Sequence, residues 1–230
     1  MNTLSMEVAV YKDLFAIRFI RCVSPVPNTA IMAGGAGITL KNALAKCESE
    51  IIERSFELLE LRPLGIRPVG ISAHTTEKLA YEKAKQEAIE TLCLEQIHSE
   101  KEFRCLYKLR FLNSFFGITR TSHGYFSMII GNLDNQKFAA YSASSSLFGT
   151  IMKTWEEFRS IHFFKPQGDE LRTFTKANYR FSQAEFKNLS FRFKPNFVYH
   201  PQLSRLKVAS DRRSGRHIVY LVNHAGEKTK

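Results

Sequence analysis

Cysteine is sparse and scattered in this chain: four residues, at 22, 47, 93 and 105, with no C-x-x-C and no Cys/His spacing that builds a zinc site. A disulfide framework and a zinc module are both excluded, and the four read as reduced, mostly buried thiols. The seven histidines also lack ligand spacing, so scattered core or surface roles are expected of them. No apolar run is long enough to span a bilayer, and no charged start leads into an apolar stretch and a small-residue cleavage site. A cytoplasmic location is the simplest expectation. Acidic residues are few, 22 against 33 lysines and arginines, for a formal net charge of +11. Such a surface suits nucleic acid, an anionic membrane, acidic peptides or nucleotide phosphates, and charge alone does not choose among them.

What is present is a globular pattern, with a hydrophobic share of 44% over 230 residues. Residues 6–23 are rich in β-branched and aromatic types and predict one or two strands. Thr39 is a good N-cap, and the apolar positions that follow predict a helix over 40–61, which Pro63 stops. A second unit follows, with 69–73 extended, Thr75 or Thr76 as cap, and a helix over 76–98. Strands are expected at 103–112, 125–131 and 136–142, then a third helix that begins within 144–146 and carries the single tryptophan, Trp155, expected in the core. From 163 onward basic, aromatic and β-branched residues mix; "DRRSG" predicts a hairpin turn, and the polar tail from 224 is expected to fray. The expected fold class is α/β, built of strand-helix repeats with a mixed sheet. Residues 1–162 form its core and 163–230 a basic β-rich portion of the same domain.

Two helices carry glutamates at i and i+3: Glu50 with Glu53, and Glu87 with Glu90. Residues at that spacing share a face, so like charges repel. One reading makes both pairs solvated outer faces, with Arg54 and Lys83 as surface ion partners. The other notes that the pairs fall beside Ile51, Ile52, Ala88 and Ile89 and recur on consecutive helices. If those helices lie side by side, the carboxylates converge and need a cation. Mg²⁺ suits such a group, because it takes oxygen ligands and is typically shared between one or two carboxylates and nucleotide phosphates. The "GGAG" before the first helix reads either as a flexible turn or as a place of close backbone approach. It is not a Walker A loop, since no G-K-[ST] follows.

Three segments, "GAGITLKNALAKCESEIIERSFE", "GISAHTTEKLAYEKAKQEAIETL" and, more loosely, "ASSSLFGTIMKTWEEF" with Glu156, resemble the YcaO family. Together they cover about residues 34–160, and the match is to a compact, partly degenerate relative. Lys46, Leu79 and Thr91 stand where the family often has serine, an acidic residue and arginine. The resemblance implies ATP- and Mg²⁺-dependent activation of peptide backbone amides, commonly cyclodehydration to azolines in a ribosomally made precursor. It implies Glu50, Glu53, Glu87 and Glu90 as metal and nucleotide ligands, Arg54 against phosphate, and Ser72 near the nucleotide. No catalytic nucleophile is assigned. The implied partners are a precursor peptide, a protein that presents its leader, and a second copy in a homodimer.

Two other readings stay open. One is a YcaO-like subunit that has lost its chemistry and supports an active partner. The other is a single-stranded nucleic-acid binder using the aromatics and cations of "FRFKPNF", "SRLK" and "DRRSGRH"; an acidic peptide would suit the same surface.

Overall fold

The computed structural model describes residues 4–12, 17–26, 29–37, 39–111, 114–133, 136–163 and 189–223. The tail from 224, expected to fray, lies outside them, as does 164–188 at the start of the basic portion. The chain divides into two compact units, Met1–Ala88 with Ser204–Lys230, and Ile89–Leu203. The C-terminal β-rich segment contributes to both.

In the first unit, β1 (Leu4–Lys12), β2 (Ile17–Val26) and β3 (Thr29–Gly37) form an antiparallel meander. Helix α1 (Leu40–Phe56) opens at Thr39, whose side chain accepts the Asn42 amide. The helical path continues through a π-type turn, Glu57–Leu61, and a tight turn, Arg62–Leu64, until Gly65 at φ 72 ends it. The expected 40–61 helix is thus present with its last turn widened. "GGAG" is not a turn: it lies in β3. A Cβ added at Gly35 would sit 2.0 Å from the Ala43 carbonyl oxygen, so the glycine is what lets α1 press on the strand.

The same device recurs in β4 (Gly70–His74), where a Cβ on Gly70 would sit 2.1 Å from the Ala84 oxygen of α2 (Glu77–Glu100). Thr76 caps α2 by accepting the Leu79 amide. Strands β12 (Leu206–Arg213) and β13 (Arg216–Asn223) complete an antiparallel sheet in the order β12-β13-β4. Their hairpin turns at Ser214 (φ 50) and Gly215 (φ 74), the left-handed pair that a two-residue loop requires. Phe56, Leu61, Ile71, Ala73 and Ile218 form the core between α1 and this sheet.

In the second unit a mixed five-stranded sheet runs β11-β7-β8-β9. Its strands are β7 (Ser114–Thr121), β8 (Gly124–Leu133), β9 (Gln136–Ser144) and the short parallel β11 (Val198–Tyr199), with β6 (Tyr107–Phe111) also on β7. Separately, β5 (Glu102–Cys105) and β10 (Ser190–Phe193) form a parallel ribbon. The sequence predicts no strand at β7, and it merges β5 with β6. Gly117 weakens the strand pattern, but a Cβ there would lie 2.5 Å from the Phe103 ring. Phe103, Phe126, Met128 and Tyr199 centre the core, each buried aromatic contributing about 1.5–3 kcal/mol.

Helix α3 (Leu147–Phe163) packs polar residues inward. Thr154 Oγ1 lies 2.6 Å from Ser127 Oγ and 2.9 Å from Ser142 Oγ, all three buried. Trp155 is consequently not a core residue: it is 40% exposed and stacks on buried Phe158. The helix turns its hydroxyls to the sheet, which leaves the tryptophan outside.

Candidate functional site

Each glutamate of the two pairs accepts a hydrogen bond from a strand amide. Glu50 Oε2 accepts from Gly34 N at 2.9 Å, and Glu87 Oε2 accepts from Ile71 N at 3.0 Å. Both bonds span 16 residues and reach back to the strand just before the helix. The second member of each pair reaches a strand further along the chain: Glu53 Oε1 accepts from Ala73 N at 2.7 Å, and Glu90 Oε1 from Ala143 N at 2.8 Å. E-x-x-E therefore acts as a double clamp, one carboxylate on the preceding strand and one on a later strand. A carboxylate that accepts an amide N–H makes a charge-assisted bond, stronger than a neutral one.

In the first unit the structure brings Glu50, Glu53 and Glu87 together. Glu53 is half-buried as a residue, but its carboxyl end is sunk among protein atoms. Burial, opposed by the Ala73 hydrogen bond and reinforced by the charges of Glu87 and Glu50, pushes its pKa up to about 8. The carboxyl therefore holds a proton near neutral pH. Its Oε1 already accepts the Ala73 amide and the Ser72 hydroxyl at 3.2 Å, which leaves Oε2 to carry that proton. Buried Ser72 serves this carboxyl, as its place on β4 directs.

Arg54 is committed to Glu50: its Nε lies 2.9 Å and a terminal nitrogen 2.5 Å from Oε1. Glu90 belongs to the second unit. Lys46 is exposed. These positions overturn the reading of the pairs as solvated outer faces, since the carboxylates are tied to backbone and Glu53 is shielded from water.

Sequence reasoning missed the strand amides. The signal for them is the repeat itself: each glutamate of the second pair stands 37 positions after its counterpart (50 to 87, 53 to 90), as Ile71 stands 37 positions after Gly34. It also missed Arg216, whose guanidinium is held by Ser49 and Glu48; burial, then the charges of Lys83 and Arg216, lower the pKa of His74.

The donor set fits Mg²⁺ in one specific way. Among the described residues no three His, Cys, Asp or Glu side chains are arranged to grip one ion directly. Mg²⁺ needs no such cage: it keeps waters and takes one or two carboxylates beside substrate phosphates. A shielded carboxyl carrying a proton beside two further carboxylates is the chemistry that a divalent cation relieves.

Two of the three aromatic residues of "FRFKPNF" proposed to stack on nucleic acid are taken up by packing against other rings. Phe191 stacks on Phe115 and meets Phe103 edge-on, and Phe197 packs edge-on against Tyr199. Only Phe193 of "FRFKPNF" stands well exposed, at 62%. Among the described residues, no helix is long and apolar enough to cross a membrane.

No protein-family model and no curated protein matches this chain. Solved structures do. The chain is similar to a chain of the E. coli microcin synthetase McbBCD complex at 12% identity, covering 96% of this chain and 90% of that one, TM-score 0.59. Against the same complex with pro-MccB17 bound, identity is 11% and the TM-score 0.58, with 96% and 90% covered. For YcaO from Methanopyrus kandleri, bound with AMPPCP and Mg²⁺, identity is 10%, coverage 94% and 84%, and the TM-score 0.61. The α/β arrangement of glycine-seated helices and mixed sheet described above is the YcaO fold.

Proposed function

We propose that this chain binds ATP and Mg²⁺ and activates backbone amides of a peptide, forming azolines in a ribosomally made precursor. The observation that carries this reading is the coupled trio of Glu50, Glu53 and Glu87, contributed by two helices, with Glu53 pushed up to about 8. The solved YcaO with AMPPCP and Mg²⁺, and the McbBCD complex with pro-MccB17, support it by analogy of fold.

One or two of Glu50, Glu53 and Glu87 would hold the cation beside waters and phosphate, and Arg54 would face phosphate with the donors that Glu50 leaves unoccupied. ATP would supply a phosphoryl group that turns an amide oxygen into a leaving group, with Mg²⁺ neutralising phosphate charge. The chain's own contribution is positioning. Strand amides at Gly34, Ile71 and Ala73 hold each carboxylate by one oxygen, so the acidic groups are oriented before any ligand arrives. Glu53 would give up its Oε2 proton to solvent on binding a cation. A partner would present the precursor peptide, and the chain would act as a homodimer or within a larger complex.

Isothermal calorimetry with ATP and Mg²⁺ tests the reading. Heat of binding in the wild type, lost in Glu50→Gln and Glu87→Gln variants that remain folded, is the expected result. A second reading, a supporting subunit without chemistry, draws on the commitment of Arg54 to Glu50. Absence of heat at high protein concentration would select it.

A further inference from the structure

We propose that the cleft formed by Glu102, Arg104, Arg192, Lys194 and Phe197 in the second unit is a docking groove for an acidic residue of an extended peptide. Its volume is about 310 Å³. The register of the parallel ribbon sets Arg104 directly opposite Arg192. Like charges in that position repel, and a carboxylate must lie between them. Glu102, two residues before Arg104 and so on the same face, supplies it: Oε2 is 3.0 Å from Arg104 Nε and Oε1 is 2.6 Å from Arg192 Nε.

The charges do not balance. Arg104 is fully occupied, paired with Glu102, with Glu100 at 3.3 Å, and lying over the Phe197 ring at 4.7 Å. Arg192 turns only its Nε to Glu102, and its side chain is 65% exposed. Lys194 makes no ion pair among the described residues, while its backbone amide is fixed to the Cys105 oxygen. Three cations thus share two carboxylates, and the unmatched charge sits at the rim, on Arg192, held by its Nε, and on Lys194, held by its backbone.

That arrangement selects a monoanion on a polymer. The donors lie on one face of an open ribbon, where they cannot surround a free phosphate, and Glu102 repels a dianion about twice as strongly as a carboxylate. Phe197 gives an apolar wall for the methylenes of a glutamate or aspartate. Phe191 and Phe197 are packed against other rings, which leaves Phe193 as the one well-exposed ring of this segment, and a single ring gives no platform for successive bases. Identifying the peptide as a precursor rests on the function proposed above; the groove itself does not.

The test is fluorescence anisotropy without nucleotide, using a short labelled peptide of alternating Gly, Ser and Glu, and its Glu→Gln counterpart. The Glu peptide should bind the wild type about tenfold more tightly at low salt, and Arg192→Ala/Lys194→Ala should abolish that difference. Both residues are exposed, so the fold survives. Glu102→Gln should tighten binding. Equal binding of the two peptides, or no change in the double variant, would overturn the proposal. So would displacement of the peptide by inorganic phosphate better than by acetate at matched ionic strength, or tighter binding of an oligothymidylate through the same residues. Since no nucleotide is present, failure here leaves the ATP reading standing. Success here with no calorimetric ATP binding would leave a peptide-binding subunit without chemistry.

Discussion

The Glu53 carboxyl and the Ala73 amide, 20 residues apart in the chain, meet at 2.7 Å and tie α1 to β4. That bond favours the carboxylate, yet burial outweighs it and the group stays protonated up to about pH 8. An acid whose pKa is raised on folding binds more protons in the native state than in the unfolded chain. Stability therefore falls as pH rises from about 4.5 to about 8 and levels off above. The expected loss is about 2 kcal/mol, because relaxation and water entry take back part of the full linkage. Thermal melts across that range should show the slope in wild type and a flattened one in Glu53→Gln; identical slopes would refute the assignment.

Charge and hydrogen bonding separate at Glu50 and Glu87. A glutamine keeps an oxygen for the Gly34 or Ile71 amide but loses the charge, whereas alanine leaves a strand N–H without its partner. Glu87→Ala should cost about 1–3 kcal/mol in urea unfolding, and Glu87→Gln less than about 1 kcal/mol. A glutamine as damaging as alanine would mean that the charge, not the clamp, holds β4.

Close approach at Gly35 and Gly70 leaves no room for a methyl group, because the obstructing atoms are backbone: the Ala43 and Ala84 oxygens. Gly35→Ala and Gly70→Ala should each destabilise by about 3 kcal/mol or prevent soluble expression. Gly65, with open space around its missing Cβ, provides the contrast. Gly65→Ala should cost only the left-handed backbone penalty of about 1 kcal/mol.

Trp155 is the single tryptophan, so its fluorescence reports one site. With 40% exposure it should emit at long wavelength and be quenched by iodide in the folded protein. A blue-shifted, unquenched spectrum would place it in the core after all.

The hairpin turn offers a stabilising change. Ser214 holds φ 50, where asparagine is better suited than serine. Ser214→Asn should raise stability by roughly 0.5 kcal/mol, read as an upward shift in the melting midpoint.

Sequence alone determined the features that arise within a turn or two of chain. Thr39 as a cap, a second cap at Thr75 or Thr76, the helices around the E-x-x-E pairs, the stop after Pro63 and the turn in "DRRSG" all follow from local hydrogen bonds and backbone preference. Tertiary structure decided the rest. Which amide each glutamate accepts depends on strand order, and those contacts reach across as many as 53 residues, from Glu90 to Ala143. Strand β7 escaped notice because Gly117 serves Phe103, not its own strand. Phe191 and Phe197 look like a binding surface until Phe103, Phe115 and Tyr199 claim them, and Trp155 looks like core until Thr150 and Thr154 take the inner face of its helix. Periodicity tells which residues share a face; only packing tells what that face meets.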